Sequence, residues 1–266
     1  MKKFILIVCL SVVALVVFAQ EETPVNTKAD KKEAKRQRIN AIIKQEEEGN
    51  LSFRKHTIFG IQLRTNGYGA FMEIGRRTSQ RLTSTYSLEL SEIKERKEEK
   101  WQSTENLFNN SYVYGKINNF YQAKLGYGQQ YILGQKGNKN GVAVIALVQG
   151  GISAGLLKPY YLQLEDAQGR QATISYYDDS TAFLNPQRIF GAGGLGKGWN
   201  ELKFKPGVYT KAGLRFDFGR YNERVQAMEI GLSLDYYFQK IPIMAYVQSR
   251  NLFFQGHVAF VFGSRK

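Results

Sequence analysis

Cysteine is almost missing from this 266-residue chain: there is one, Cys9. It falls inside the apolar N-terminal run described below, too early for a lipoprotein box. Once that run is cleaved, the chain has no disulfide, no thiolate metal site and no cysteine nucleophile. Histidine is scarce too, with only His56 and His257. Neither stands beside a candidate serine or at metal-ligand spacing. We therefore expect no catalytic residue, no metal, no cofactor and no enzymatic activity. Overall apolarity is also lacking. A mean hydropathy of −0.37 argues against a helical membrane protein. It does not exclude a β-barrel, in which only every second strand residue faces lipid.

Charge, glycine and aromatics are abundant. Lys plus Arg number 37 against 23 Asp plus Glu, a formal charge of +14. The 26 Gly, 16 Tyr and 17 Phe suit a barrel with aromatic girdles and a small-residue interior, but also a soluble β-sandwich.

The N-terminus has the form of a secretory signal peptide over residues 1–19. Met1-Lys2-Lys3 is basic, Phe4 to Phe18 is apolar apart from Ser11, and Val17-Phe18-Ala19 offers a small-residue cleavage site. The run is shorter than the ~20 residues that span a bilayer. Residues 20–53 form a charged segment. Lys28, Lys31, Lys32, Lys35, Arg36 and Arg38 precede Glu46, Glu47 and Glu48, and Ile39, Ile42 and Ile43 make a short apolar stripe. The spacing predicts a helix from about Asp30 to Glu48, ended by Gly49. Basic early and acidic late is the wrong order for the helix dipole, so this helix is marginal unless it docks. Lys31, Lys32, Lys35, Arg36, Arg38, Ile39, Ile42 and Ile43 are thus candidate partner-binding residues, in the periplasm. Export rules out nucleic acid as the partner of the basic run, leaving anionic head groups, cell-wall polymer or an envelope protein.

From His56 onward the apolar period becomes two. In Val225 to Phe238, Met228, Ile230, Leu232, Leu234, Tyr236 and Phe238 alternate with Ala227, Glu229, Gly231, Ser233, Asp235 and Tyr237. Such alternation predicts strands at about 57–65, 68–78, 83–93, 112–128, 141–157, 206–218, 225–238 and 251–263. Eight is an even number, as single-chain bacterial barrels require. Connections after strands two, four and six are short, and those after three, five and seven are longer. Asn66-Gly67 signals a type I′ hairpin. Gly141 to Leu164 would extend ~80 Å, well beyond the hydrocarbon core. Either that strand continues past the membrane or Gly150-Gly151 breaks it, which leaves ten strands as the alternative. Residues 160–165 and 171–177 read as a projecting hairpin around Gln168-Gly169.

What opposes the apolar set separates a barrel from a sandwich. Here it is Gly, Ala or Ser with isolated charges: Glu73, Glu89, Lys211, Arg215, Asp217, Glu229 and Asp235. Sparse charges of both signs suit a narrow lumen in which they pair. Closure also satisfies the backbone groups that lipid cannot. Residues 54–266 are therefore read as an all-β, closed antiparallel transmembrane barrel in the outer membrane of a Gram-negative envelope. The alternating aromatic strand ending at Phe262 resembles the signal read by barrel-assembly machinery, with Gly263-Ser264-Arg265-Lys266 as a departure. Gly67–Phe71, Ser111–Lys116, Lys205–Tyr209 and Lys240–Met244 resemble an uncharacterised family of Bacteroidetes-type outer-membrane β-barrel proteins, over roughly Phe59 to Gly263. The resemblance implies location and fold, and carries no catalytic motif.

Gly191-Ala192-Gly193-Gly194-Leu195-Gly196 fits G-x-G-x-x-G, but Lys197-Gly198-Trp199-Asn200 does not continue as a helix. A flexible glycine-rich loop is expected rather than a dinucleotide site. His56 and His257 lie on the first and last strands, which closure brings together, and are read as girdle or lumen histidines. On the outer loop 93–101, Lys94, Arg96, Lys97 and Lys100 are candidate contacts for lipopolysaccharide phosphates. The expected role is a non-enzymatic structural or interaction barrel, serving as a scaffold or as an accessory subunit of a larger secretion or barrel-assembly complex. A small pore and a lipid-modifying enzyme are the alternatives.

Overall fold

The computed structural model describes residues 32–33, 36–37, 40, 53–101, 111–138, 140–165, 170–194, 196–220 and 223–266. The chain divides into two units, Met1–Glu47 and Glu48–Lys266. In the first, Lys32, Glu33, Arg36, Gln37 and Asn40 are helical and exposed. The signal peptide, the rest of the expected helix, and Lys31, Lys35, Arg38, Ile39, Ile42 and Ile43 lie outside the described residues.

The second unit is a closed antiparallel barrel of eight strands. They are β1 (Lys55–Arg64), β2 (Gly67–Arg77), β3 (Leu82–Ile93), β6 (Asn118–Gly134), β7 (Ala143–Pro159), β11 (Lys203–Asp217), β12 (Arg224–Ile241) and β13 (Arg250–Arg265). Around the ring the order is β1-β13-β12-β11-β7-β6-β3-β2, so each strand pairs with its sequence neighbour and β1 closes on β13. Among the described residues, five short strands lie outside the ring: β4 (Lys100–Trp101), β5 (Tyr112–Val113), β8 (Tyr161–Glu165), β9 (Gln171–Ser175) and β10 (Ile189–Ala192).

The period-two pattern becomes two surfaces. Phe59, Ile61, Leu88, Leu90, Leu125, Ile152, Ile230, Leu232, Phe260 and Phe262 are exposed on the outer wall. Their alternates, from Gln62 and Glu73 to Asp235 and His257, are buried in the lumen. The apolar side chains thus point out and the polar ones in, the inverse of a water-soluble fold.

Several local expectations change. The strand expected to begin at 112 starts at Asn118 instead. Tyr112 and Val113 are both buried, which breaks the alternation, and Gly115 turns the chain with φ of 71°. Tyr112–Val113 pairs with Lys100–Trp101 as a separate ribbon. Strand β7 runs unbroken through Gly150-Gly151 to Pro159, which settles the count at eight rather than ten. The tight first connection is Thr65-Asn66, since Arg64 already pairs with Gly67. A type I′ turn needs positive φ at both central residues. No described non-glycine residue has one, so that turn type is not formed. The 160–177 hairpin is present as β8 and β9, joined by the unexpected β10.

Two glycines explain how tightly β6 and β7 approach. Gly126 and Gly151 face each other in register. A Cβ on Gly151 would lie 2.1 Å from the Leu125 carbonyl oxygen, whereas one on neighbouring Gly150 meets nothing closer than 3.5 Å. Glycine in a strand interior marks such close backbone approach. Gly151→Ala should therefore lower stability by about 1–3 kcal/mol, the usual range for overpacking, and Gly150→Ala by much less. Urea unfolding of the refolded barrel in detergent, followed by tryptophan fluorescence and heat-shifted gel mobility, measures the difference.

Candidate functional site

An eight-stranded barrel encloses just enough space for its own side chains, and here they fill it in layers. The middle layer is ionic. From β11, Arg215 reaches across the ring to Glu73 on β2, with Nη1 3.0 Å from Oε1 and Nη2 3.1 Å from Oε2. The same guanidinium donates through Nη2 to Glu229 on β12, opposite it in register, at 2.7 Å. Lys211 also meets Glu229, at 2.8 Å. Gln130 and Gln149 donate their amides to Glu73 at 2.5 and 2.9 Å.

A second cluster lies nearer the long-loop end. Lys124 on β6 crosses to Asp235 on β12 at 2.6 Å and lies 3.4 Å from Glu89. Arg64 donates to Glu89 at 2.8 Å. Gln255 donates to Asp235 at 3.0 Å, and Gln122 to the Tyr237 hydroxyl at 2.6 Å. At the short-turn end, Asp217 receives Lys136 at 3.3 Å and also the Arg265 guanidinium.

Apolar clusters pack among the ionic ones. Ile58, Phe71, Val225 and Val261 form one cluster, and Phe53, Ile132 and Ile145 another near the short turns. Towards the long loops, Phe120, Leu157, Tyr237 and Phe253 pack with Ile241, Ile243 and Met244. The last two come from the 242–249 connection, which folds back so that the Ile243 carbonyl accepts from the Ile117 and Asn118 amides at 2.8 and 3.2 Å.

The seven lumen charges singled out from the sequence, Glu73, Glu89, Lys211, Arg215, Asp217, Glu229 and Asp235, are all buried and ion-paired here. Sequence reasoning passed over Arg64, Lys124, Lys136 and Arg265. Parity was the missed signal for Lys124, which alternates with Leu125 within an expected strand. The two histidines are not together. Antiparallel pairing sets His56 against Arg265 and His257 against Arg64, at opposite ends of the β1–β13 seam. Each meets a glutamate instead, His56 with Glu73 at 3.0 Å and His257 with Glu229 at 3.2 Å. Among the described residues no group of three His, Cys, Asp or Glu side chains is placed to hold a metal ion.

The long-loop end carries a different surface. Strands β8, β9 and β10 form a small sheet with its own core of Tyr112, Leu162, Leu164, Phe183 and Ile189. A helical turn, Ser180–Phe183, is capped by Asp179, whose carboxylate accepts from the Thr181 and Ala182 amides. The stretch around Gly191 is therefore partly strand, a correction to the flexible loop expected there: Gly191 and Ala192 pair with β8, and the Gly193 amide donates to the Tyr161 carbonyl at 2.7 Å. A 3-10 turn, Trp199–Glu201, follows instead of an α-helix. Tyr161 donates its hydroxyl to Glu201 at 2.6 Å, and this bond pushes the phenol up to about 12.

Between this sheet, the β4–β5 ribbon and the barrel wall lies a cavity of about 630 Å³. Lys94, Lys100, Lys116 and Lys158 line it, with Glu92 and Glu98. Lys116 pairs with Glu98 at 2.8 Å, and the Tyr68 hydroxyl donates to Glu92 at 2.5 Å. Lys94 stands 4.9 Å from the Tyr68 ring centre and Lys158 4.7 Å from that of Trp199, which stacks on Tyr121. Of the four basic loop residues named from the sequence, Lys94 and Lys100 line this cavity and Arg96 and Lys97 do not.

No protein-family model matches the sequence, and no curated protein does. Among solved structures the chain is similar to Neisserial surface protein A, with 8% identity over 80% of this chain and 97% of that one, at a TM-score of 0.39. It is also similar to the N-terminal β-barrel domain of Pseudomonas aeruginosa OprF, with 9% identity over 80% and 99% of the two chains and a TM-score of 0.38. A third is Ail, the attachment invasion locus protein of Yersinia pestis, solved with the heparin analogue sucrose octasulfate: 10% identity, 81% and 100% coverage, TM-score 0.36.

Breaking one lumen pair should cost more than deleting it whole. Asp235→Ala leaves Lys124 buried without its closest partner and should lower stability by about 3–5 kcal/mol. Lys124→Met combined with Asp235→Ala should recover a large part of that loss. A double-mutant cycle from urea unfolding in phospholipid vesicles gives the coupling, and additive losses would contradict the pairing.

Proposed function

We propose that this chain is a non-conducting, non-enzymatic barrel of the Gram-negative outer membrane. In this reading it acts as a structural and interaction protein, through the surfaces it presents on either side of the bilayer. The inverted surface supports the location. A ring of outward Leu, Ile, Val, Phe and Tyr is costly in water and favoured in hydrocarbon, and a closed ring leaves no strand edge unsatisfied in lipid. The observation that carries the role is the filled lumen, in which ionic and apolar clusters pack together along its length. A solute path needs an open lumen, so this interior favours neither the pore nor chemistry on substrates entering from water. What remains for function is surface: the folded long-loop end and the basic segment before the barrel.

Residues 1–19 are assigned to export, residues 20–53 to the periplasm and the long-loop end to the cell exterior. In the same reading the barrel belongs with the Bacteroidetes-type outer-membrane proteins that it resembles in sequence. The segment around Lys31–Ile43 is our candidate for docking on a larger envelope assembly, in which this chain would be an accessory subunit. Photo-crosslinking from Ile42 and Ile43 in living cells, with mass spectrometry of the products, tests that role. A recurrent envelope-protein partner supports it, and the absence of any adduct removes it.

Two further outcomes follow. In planar bilayers the purified protein should show no steady conductance, and reproducible ion channels would return the pore reading. Leu232 lies mid-way along the outward face of β12 and is exposed. Leu232→Arg should cost about 2–4 kcal/mol in vesicles, the expected range for a charge at the bilayer midplane, while Ser233→Ala in the lumen should cost far less. Equal effects at the two positions would place water, not lipid, outside the wall.

A further inference from the structure

The cationic cavity and a separate apolar groove share the same two strands, one directly below the other. The groove is a hollow of about 400 Å³ on the outer wall, lined by Phe59, Ile61, Ala70, Met72, Leu88 and Leu90 among others. Its floor is Ala70, whose small side chain lies between Ile61 on β1 and Leu90 on β3 in register. The next outward pair along β2 and β3 is Tyr68 with Glu92, and both of these line the cationic cavity. One such step is two residues, or about 7 Å of strand. On β3 the outward side chains read Tyr86, Leu88, Leu90 and then Glu92, so the apolar wall ends where the cavity begins. On β6 and β7 the cavity is reached at Asn119, Tyr121 and Lys158, just past Ala123 and Leu156.

We propose that this wall binds one phosphorylated, multiply acylated lipid of the surrounding leaflet, with an acyl chain along the Ala70 groove and a phosphate among the lysines above it. The proposal rests on the membrane reading given above. Charge sets the head group. Four lysines meet two glutamates in the cavity, and Lys116 and Tyr68 already engage those glutamates, so Lys94 and Lys100 are the lining lysines available to a phosphate. An ammonium recognises phosphate as a point charge, without demanding the planar geometry of a guanidinium site. Tyr68, Tyr121 and Trp199 surround it with amphipathic rings, which sit at head-group depth. Position sets the chain, because the groove opens sideways into the lipid layer. A free phosphate would use the cavity alone and leave the groove without a role.

The test uses the full chain, matured by its own export and extracted in mild detergent. Native mass spectrometry then counts bound lipid after exposure to a phosphorylated, six-chain glucosamine disaccharide lipid or to the same lipid with its phosphates removed. The expected result is at least tenfold greater retention of the phosphorylated form. Lys94→Glu with Lys100→Glu should abolish that preference. Ala70→Trp, which fills the groove from the lipid side and should leave folding intact, should weaken retention of both forms. Leu232→Trp, on the far wall, should change neither. Heat-shifted gel mobility verifies that each variant is folded. Equal retention of the two lipids by the natural chain, or unchanged retention in both the lysine and Ala70 variants, overturns the site while leaving the membrane reading intact. A folded chain that fails to insert into vesicles overturns both.

Discussion

One guanidinium holds the middle of the barrel. Arg215 bridges Glu73 and Glu229, and so ties β2 to β11 and β12 across the lumen. An eight-stranded ring has no room for water to solvate separate charges in bulk, so each must find its counter-charge among the side chains of other strands. The rest follows from that constraint. Gly75 is bare because the His56 ring lies where a Cβ would be, and Gly126 because the Tyr209 hydroxyl does. Gln130 and Gln149 complete the ligation of Glu73 because a carboxylate has more acceptor sites than one guanidinium fills. A structure organised this way gives its interior to packing and ion pairing.

The division between wall and loops was legible in the sequence because strand parity is a hard rule. Met228, Ile230, Leu232 and Leu234 can face lipid only if Glu229, Ser233 and Asp235 face inward, and no register slip keeps both sets satisfied. Eight of the strands follow from that pattern, with ends misplaced by a few residues. The errors cluster where parity stops. Tyr112 and Val113 bury both faces, so their run looked like the start of a barrel strand. Strand β10 sits in a glycine-rich stretch whose pairing partner, β8, is some thirty residues earlier. Nothing local in Ile189–Ala192 announces that contact.

The candidate site was only half legible, for the same reason. Lumen charges can be picked out singly from alternation, and Glu73 and Arg215 were. Which of them meet depends on the stagger of the ring, which a linear pattern does not encode. The histidine pair shows the difference. Closure does bring β1 beside β13, but antiparallel register separates His56 from His257 along the whole seam. The cationic cavity was less visible still. Lys94 and Lys100 come from one connection, Lys116 from the approach to β6, and Lys158 from the end of β7. Only the folded loop end gathers them.

The seam itself has a consequence for biogenesis. The last strand brings Arg265 to Asp217, and the first brings Arg64 to Glu89. A chain that has laid down β2 through β12 without these two would hold Asp217 and Glu89 each short of one cationic partner. Greasy strands alone would let an incomplete sheet linger in the bilayer. The acids inside make such a sheet electrostatically unfinished until the ends meet. Completion of the ring is thus favoured by attraction between the first and last strands and the interior, in addition to the hydrogen bonds along the seam.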